Sequence, residues 1–168
     1  MAVPSHLFYI TDQGSSRWLA LAEDPLFAAY QDSMDLLFRC SDEMAREILH
    51  AAPFKDVDII SLGPGDGRKD ALLLGSLLRL APDRGEAFYY PFDISASMIA
   101  RTLERIGRDA TIRQRITQAK AIIADFNSLP VFKPIYQFRE GPNLFLLLGN
   151  LLGNVSDDFG FLKRLNSR

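Results

Sequence analysis

One cysteine in 168 residues excludes an intrachain disulfide, and Cys40 has no ligand-type residues near it at metal-binding spacing. Structural burial is its expected role. Histidine is almost as scarce, and His6 and His50 stand without recognisable partners, so each is expected at the surface or at a helix cap. Positive charge is not in excess: 19 Lys and Arg against 21 Asp and Glu give a net charge of −2, with a pI near 5.7. No basic field exists to track a polyphosphate backbone, which argues against nucleic acid as a partner. Long apolar runs are missing too. Leu144 to Leu148 falls far short of the roughly 20 residues that cross a bilayer, so no membrane partner is expected. No charged start leads into an apolar signal core, and a cytoplasmic location is the expectation.

What remains is an ordinary soluble composition, 48% hydrophobic and 24% charged, in a chain long enough for one domain with a real core. Arg101 to Arg115 contains five arginines, but Glu104 and Asp109 interrupt it at helical spacing, so it reads as a solvated helix face.

The informative stretch is Ile59-Ile60-Ser61-Leu62-Gly63-Pro64-Gly65-Asp66-Gly67-Arg68-Lys69, a short apolar strand running into a glycine-dense turn that opens a helix near Asp70. Glycines at 63, 65 and 67 can adopt positive φ, bringing the backbone close to a ligand while the free N–H groups of the next helix point at it. An ordinary tight turn would also account for this loop alone. Its neighbours add weight. Ala87 to Phe92 reads as a second buried strand ending in Asp93-Ile94-Ser95, where a carboxylate can accept from two vicinal ribose hydroxyls. Lys120 to Ala124 reads as a third, ending in Asp125-Phe126-Asn127, a corner that could bond an adenine edge and stack on its face. Asn143 to Leu148 reads as a fourth, closing with Gly149-Asn150-Leu151-Leu152-Gly153-Asn154.

The expected fold is therefore α/β, a Rossmann-like doubly wound and mostly parallel sheet of about four strands, with strands near 57–62, 87–92, 120–124 and 143–148. Helices are expected near 69–80, 95–107, 110–118 and 156–165. Residues 1–54 form a helical lead-in, and residues 55–168 form the ligand-binding domain. In the lead-in, Leu19, Leu26, Phe27, Tyr30, Met34, Leu37, Phe38, Met44 and Ile48 recur at helical intervals, with breaks near Asp24-Pro25 and Ser41-Asp42, and Ser41 suits an N-cap. Pro130, Pro134 and Pro142 make 128–142 an irregular connection. A complete sheet of this type needs about six or seven strands. The expectation is that the rest of a longer protein, or a partner such as a second copy, covers the open edge.

Four motifs, Leu62-Gly63-Pro64-Gly65 with Lys69, Tyr90-Pro91-Phe92-Asp93-Ile94-Ser95, Ala124-Asp125-Phe126, and Leu148-Gly149-Asn150-Leu151-Leu152-Gly153-Asn154, together resemble the histidine-specific S-adenosylmethionine-dependent methyltransferase family, of class I. The resemblance implies S-adenosylmethionine as cofactor and N-methylation of an amino acid or related small amine such as histidine. It implies that Gly63, Pro64 and Gly65 approach the methionyl part while Lys69 meets its carboxylate. Asp93, with Ile94 and Ser95, would hold the ribose, and Asp125 and Phe126 the adenine. Gly149 and Asn150 would wall the sulfonium, and Asn154 would help hold the substrate. The chain departs from the family at Asn150-Leu151-Leu152, where Ser-Thr-Ile is usual, and at Ser61, where many methyltransferases carry an acid. The family's distal substrate-recognition segment has no counterpart before Arg168.

No Ser/His/Asp set or carboxylate pair stands out, in keeping with methyl transfer to an amine that has lost its proton on binding. Catalytic residues are not identified. Two other readings stay open: an NAD(P)-binding domain, which shares the loop-plus-acid layout, and an incomplete Rossmann-like module that binds nucleotide without catalysis.

Overall fold

The computed structural model describes residues 9–52, 56–81, 85–136, 142–149, 151–152 and 157–166. Two helices lead in, α1 (Asp12–Glu23) and α2 (Ala28–Ala51). They are followed by β1 (Val57–Leu62), α3 (Arg68–Leu80), β2 (Ala87–Asp93), α4 (Ala96–Arg108), α5 (Ala110–Arg115), β3 (Ile116–Ala119) and β4 (Ile122–Ile123). A 3-10 segment (Phe126–Phe132) leads into α6 (Lys133–Tyr136), β5 (Asn143–Leu146) and α7 (Asp158–Asn166).

Among the described residues every strand pairing is parallel, in the order β3-β2-β1-β5 with β4 also on β2. The sheet thus has five strands where about four were expected. The extra one comes from the region of the expected third strand. Ile116 and Thr117 leave α5 early, Ile116, Gln118 and Ala119 pair with Ala87, Phe88 and Tyr89 of β2 across a register shift that passes over Thr117, and Ile122–Ile123 pairs with Phe92–Asp93 further along the same edge. Two β-branched residues side by side favour extended backbone over a last helical turn. The helix expected at 110–118 therefore ends at Arg115.

Strands β1 and β2 are buried on both faces, which is why they are largely apolar without alternation, although β1 also buries Asp58 and Ser61. Ile59 and Tyr89 face Leu73, Leu74 and Leu77 of α3. Ile60, Tyr90 and Phe92 face Leu129, Tyr136 and Phe161 on the other side. The sheet is thus the middle of three layers.

In the lead-in, α2 runs unbroken through Ser41-Asp42, contrary to the expected break. Ser41 is buried, with its hydroxyl 3.0 Å from Ser76 Oγ, and Asp42 accepts from the Ser76 hydroxyl at 2.6 Å and from Arg79. These cap-type side chains instead serve helix-to-helix contacts with α3. Leu26 (89% exposed), Phe38 (69%) and Met44, all in the apolar series at helical intervals, face solvent. Cys40 is half-buried rather than enclosed, and His50 is exposed in the last turn of α2. His6 lies outside the described residues. No helix among the described residues is long and apolar enough to cross a membrane.

The loop after β1 is held by its backbone. Gly63, Gly65 and Gly67 all have positive φ, at 64°, 61° and 75°. A Cβ at Gly67 would stand 2.9 Å from Thr102 Cα on α4. Gly67→Ala combines this clash with a left-handed backbone, so it should destabilise the fold by about 1–3 kcal/mol. Urea unfolding of the purified variant measures the loss.

Candidate cofactor and substrate site

The chain runs from β1 out to β2 and β3, then crosses back to lay β5 on the other flank of β1. Strand order reverses between β1 and β5, and in open α/β sheets the crevice beyond the carboxyl ends at such a reversal is where ligands bind. A cavity of about 660 Å³ lies there, within the ~300–1,000 Å³ common for ligand clefts. Its walls include Gly63, Pro64, Gly65 and Lys69 from the β1 side and Leu148 and Gly149 from the β5 side. Trp18, Phe27, Tyr30 and Ser33 of the lead-in close it from above, and Asp66 and Asp70 complete it.

Several contacts fasten the glycine loop. Gly63 N–H donates to Phe92 O at 2.8 Å, Thr102 Oγ1 donates to Gly65 O at 2.8 Å, and Arg105 Nε donates to Asp66 O at 3.0 Å. The Asp66 carboxylate takes the Arg68 guanidinium and lies 3.6 Å from Arg105 Nη2. One arginine of the solvated helix face is thus recruited to the loop, whereas Arg108 pairs outward with Glu104. Trp18 rests on Gly65, where a Cβ would stand 3.3 Å from the indole. Trp18 meets Tyr30 edge-on at 5.6 Å, and Phe27 stacks on Tyr30 at 6.2 Å.

Lys69 is the cation of this cavity. Its Nζ donates to Leu148 O at 3.1 Å, bridging α3 to the end of β5, and lies 5.1 Å from the Tyr30 ring centroid. Burial lowers its pKa, while Asp66 works against that shift. An ammonium with three donors, one of them given to Leu148, is suited to an incoming anion. Burial also raises the pKa of Tyr30, with Asp66 adding to the effect.

Asp93 ends β2 beside the loop. Its Oδ1 accepts from Ser95 N–H at 2.9 Å, and backbone bonds from Ser95, Gly65 and Ile94 partly offset the burial that raises its pKa. Its carboxyl is therefore turned toward the glycine turn. Ser95 is fully buried as the N-cap of α4, and its hydroxyl lies 2.7 Å from that of Ser15 in α1. Neither Asp93, Ile94 nor Ser95 lines the cavity itself.

The third-strand corner stands apart. Asp125 caps the 3-10 segment by accepting from Asn127 N–H at 2.8 Å, and Phe126 meets Phe161 edge-on at 5.8 Å. The cleft beside Phe126 encloses about 10 Å³, room for one water. Asn150 and Asn154 lie outside the described residues. Among the expected site residues, the cavity thus gathers Gly63, Pro64, Gly65, Lys69 and Gly149.

The sequence reading gives Phe27 and Tyr30 to helix packing and no role to Trp18, Ser33 or Asp70. Three aromatics grouped around the Asp24-Pro25 break are the signal that separates these positions from a plain helical stripe.

Asp70 is fully buried, and its pKa is pushed up to about 6, by desolvation first, with Ser61 and Tyr89 opposing and Asp66 adding to the rise. Because the folded value lies above the ordinary 3.8, the neutral acid's stabilising advantage is complete below about pH 4 and is lost as pH rises through about 6. Wild type should lose about 2–3 kcal/mol relative to Asp70→Asn across that window. Urea titrations of both proteins from pH 4 to 7.5 read the difference, and a flat difference would show that Asp70 ionises without cost.

A family model described as histidine-specific, SAM-dependent methyltransferase matches residues 1–167. No curated protein gives a significant match.

Proposed function

The chain belongs to the histidine-specific, S-adenosylmethionine-dependent methyltransferase family, and from that premise we propose that it methylates the amino nitrogen of an amino acid or a related small amine such as histidine. The observation that carries this reading is the cavity at the β1/β5 reversal, where the glycine loop, Lys69 and Gly149 meet under an aromatic cover. Its features fit the family's cofactor. The glycine cradle is one that a Cβ would crowd, the volume suits an adenosyl amino acid, and the cation is partly desolvated.

When bound, S-adenosylmethionine supplies a sulfonium methyl group open to in-line displacement by a neutral amine. The chain's part is to position and to exclude water, which can supply most of the rate in such a reaction. In this reading Gly63, Pro64 and Gly65 let the backbone approach the methionyl end, and Lys69 takes its carboxylate. Asp93, held at the loop by backbone N–H groups, takes the ribose hydroxyls, with Ile94 and Ser95 shaping that turn. Gly149 walls the sulfonium side, because the absence of a side chain there leaves room for an acceptor. Asn150 is assigned to the same wall and Asn154 to the substrate. Asp125 and Phe126 are assigned to the adenine, which requires Phe126 to open from Phe161. Trp18, Phe27 and Tyr30 cover the acceptor side and keep it dry.

Isothermal titration with S-adenosylhomocysteine tests the cofactor assignment, with NAD as the competing ligand. Binding of the first and not the second is expected, and the reverse would overturn the reading. Asp93→Ala should weaken S-adenosylhomocysteine binding by about 1–3 kcal/mol, the loss expected of charged hydrogen bonds. A screen of free amino acids for methyl incorporation tests the acceptor. Binding without transfer to any amine would sink the acceptor assignment.

A further inference from the structure

Asp70 is a buried acid for which the methyl-transfer reading above has no use. It sits in the first turn of α3, next to Lys69, and both residues belong to the wall of the same cavity. Tyr89 OH donates to its Oδ2 at 2.5 Å, and the Ser61 hydroxyl lies beside the carboxyl. Its second oxygen, Oδ1, is buried and has no hydrogen-bond partner among the described residues. No basic side chain among them pairs with it either.

A fully buried carboxylate with one oxygen unmet is costly, and native structures keep such a group only for a reason. Anchoring Tyr89 is not enough of one, since a neutral amide would accept the same bond without burying a charge. The charge becomes favourable when a cation arrives from outside the fold. The cavity is the nearest source, and on its other side Lys69 offers an ammonium to an anion.

We propose that Asp70 is the counter-group for a ligand ammonium, so that Lys69 and Asp70 together read the carboxylate and amino groups of an α-amino-acid end, that of the cofactor's methionyl moiety. This rests on the cofactor assignment above and adds a residue to it. Asp70 is a binding and positioning residue, since holding the amino-acid end fixes where the sulfonium lies relative to the acceptor. The titratable and charged groups facing it are Tyr89 from β2 and Asp66 from the glycine loop, and neither supplies a positive charge.

The test compares three adenosyl ligands on the wild-type chain by calorimetry from pH 5 to 7.5. S-adenosylhomocysteine carries both charges, its decarboxylated analogue keeps the amine alone, and methylthioadenosine carries neither. All three share any dependence that comes from Asp93 at the ribose, so that contribution cancels in the ratios. The affinity of the two amine-bearing ligands relative to methylthioadenosine should fall about tenfold between pH 7.5 and 5, as one carboxylate with a pKa near 6 takes up its proton. Asp70→Asn should weaken both amine-bearing ligands by roughly tenfold or more at pH 7.5 and leave methylthioadenosine within about twofold, a loss of about 1.4 kcal/mol or more by the usual conversion. Lys69→Met should weaken S-adenosylhomocysteine and spare the decarboxylated analogue.

Identical pH profiles for all three ligands would overturn the proposal while leaving the cofactor assignment intact, and so would an Asn variant that binds S-adenosylhomocysteine like wild type. If none of the three binds, the cofactor assignment fails and takes the proposal with it. Should the Asn variant not fold, the wild-type ligand comparison decides alone.

Discussion

The left-handed turn between β1 and α3 is the constraint on which the site depends. Three glycines at φ between 61° and 75° reverse the chain within five residues and start α3 at Arg68, directly over the end of β1. Their missing side chains are used twice. On the inner side, α4 closes on the loop so tightly that Thr102 occupies the space a Cβ at Gly67 would need, and its hydroxyl bonds Gly65 O. On the outer side, Trp18 lies on Gly65. The turn is thus clamped between a lead-in helix and a crossover helix, and its conformation is decided before any ligand arrives. Such preorganisation lowers the ordering cost of binding.

Charge is arranged around that turn by depth. Asp66 sits just inside the surface, 4% exposed, and is met by Arg68 and Arg105, so the loop's own acid is neutralised by the fold. Lys69 and Asp70 are the second and third residues of α3, where neither is matched to the other. Lys69 reaches across β1 to the carbonyl of Leu148, whereas Asp70 turns down to Tyr89 on β2. Helical geometry explains the split, because consecutive residues point about 100° apart. A cation and an anion on adjacent positions therefore face different walls of one cavity instead of cancelling. Burial costs each of them, moving Lys69 down and Asp70 up in pKa.

Much of this was legible in the chain itself, where the reason was local. Strands β1 and β2 and the glycine turn follow from apolar runs bounded by residues with strong backbone preferences, and they lie where the pattern puts them. The α/β class and the family follow from the order of the motifs. What failed depended on tertiary partners. Ser41-Asp42 looks like a helix start, yet Ser76 and Arg79 on α3 occupy both side chains and α2 continues through them. Phe38 has the right period but the wrong phase once α2 is one 24-residue helix, and Leu26 falls in the turn between α1 and α2 rather than on a helix face. Strand order was equally illegible. Nothing local in Asn143–Leu146 says that it pairs with β1 rather than with β3, and that choice creates the crevice. Asp70 was missed because an acid in a helix's first turn has an ordinary explanation in the helix dipole, and its burial appears only when Tyr89 and Ser61 are seen beneath it.

The lead-in is coupled to the site more closely than a covering layer would be. Ser15 of α1 bonds the hydroxyl of Ser95, the same hydroxyl that caps α4, and α4 in turn holds Gly65 and Asp66 through Thr102 and Arg105. Trp18, three residues along from Ser15, touches the loop directly, and Tyr30 carries both Arg68 and Lys69 against its ring at 5.4 and 5.1 Å. Two separate routes therefore run from α1 to the glycine turn, one through hydrogen bonds by way of α4 and one through aromatic packing over the cavity. Shifting α1 outward would break the Ser15–Ser95 contact and unstack Trp18 together, because both are on one rigid helix less than a turn apart. The cavity is consequently shaped by a segment with no strand of its own, and the aromatics that close it are held by the same cap that orients Asp93 two residues earlier in the chain.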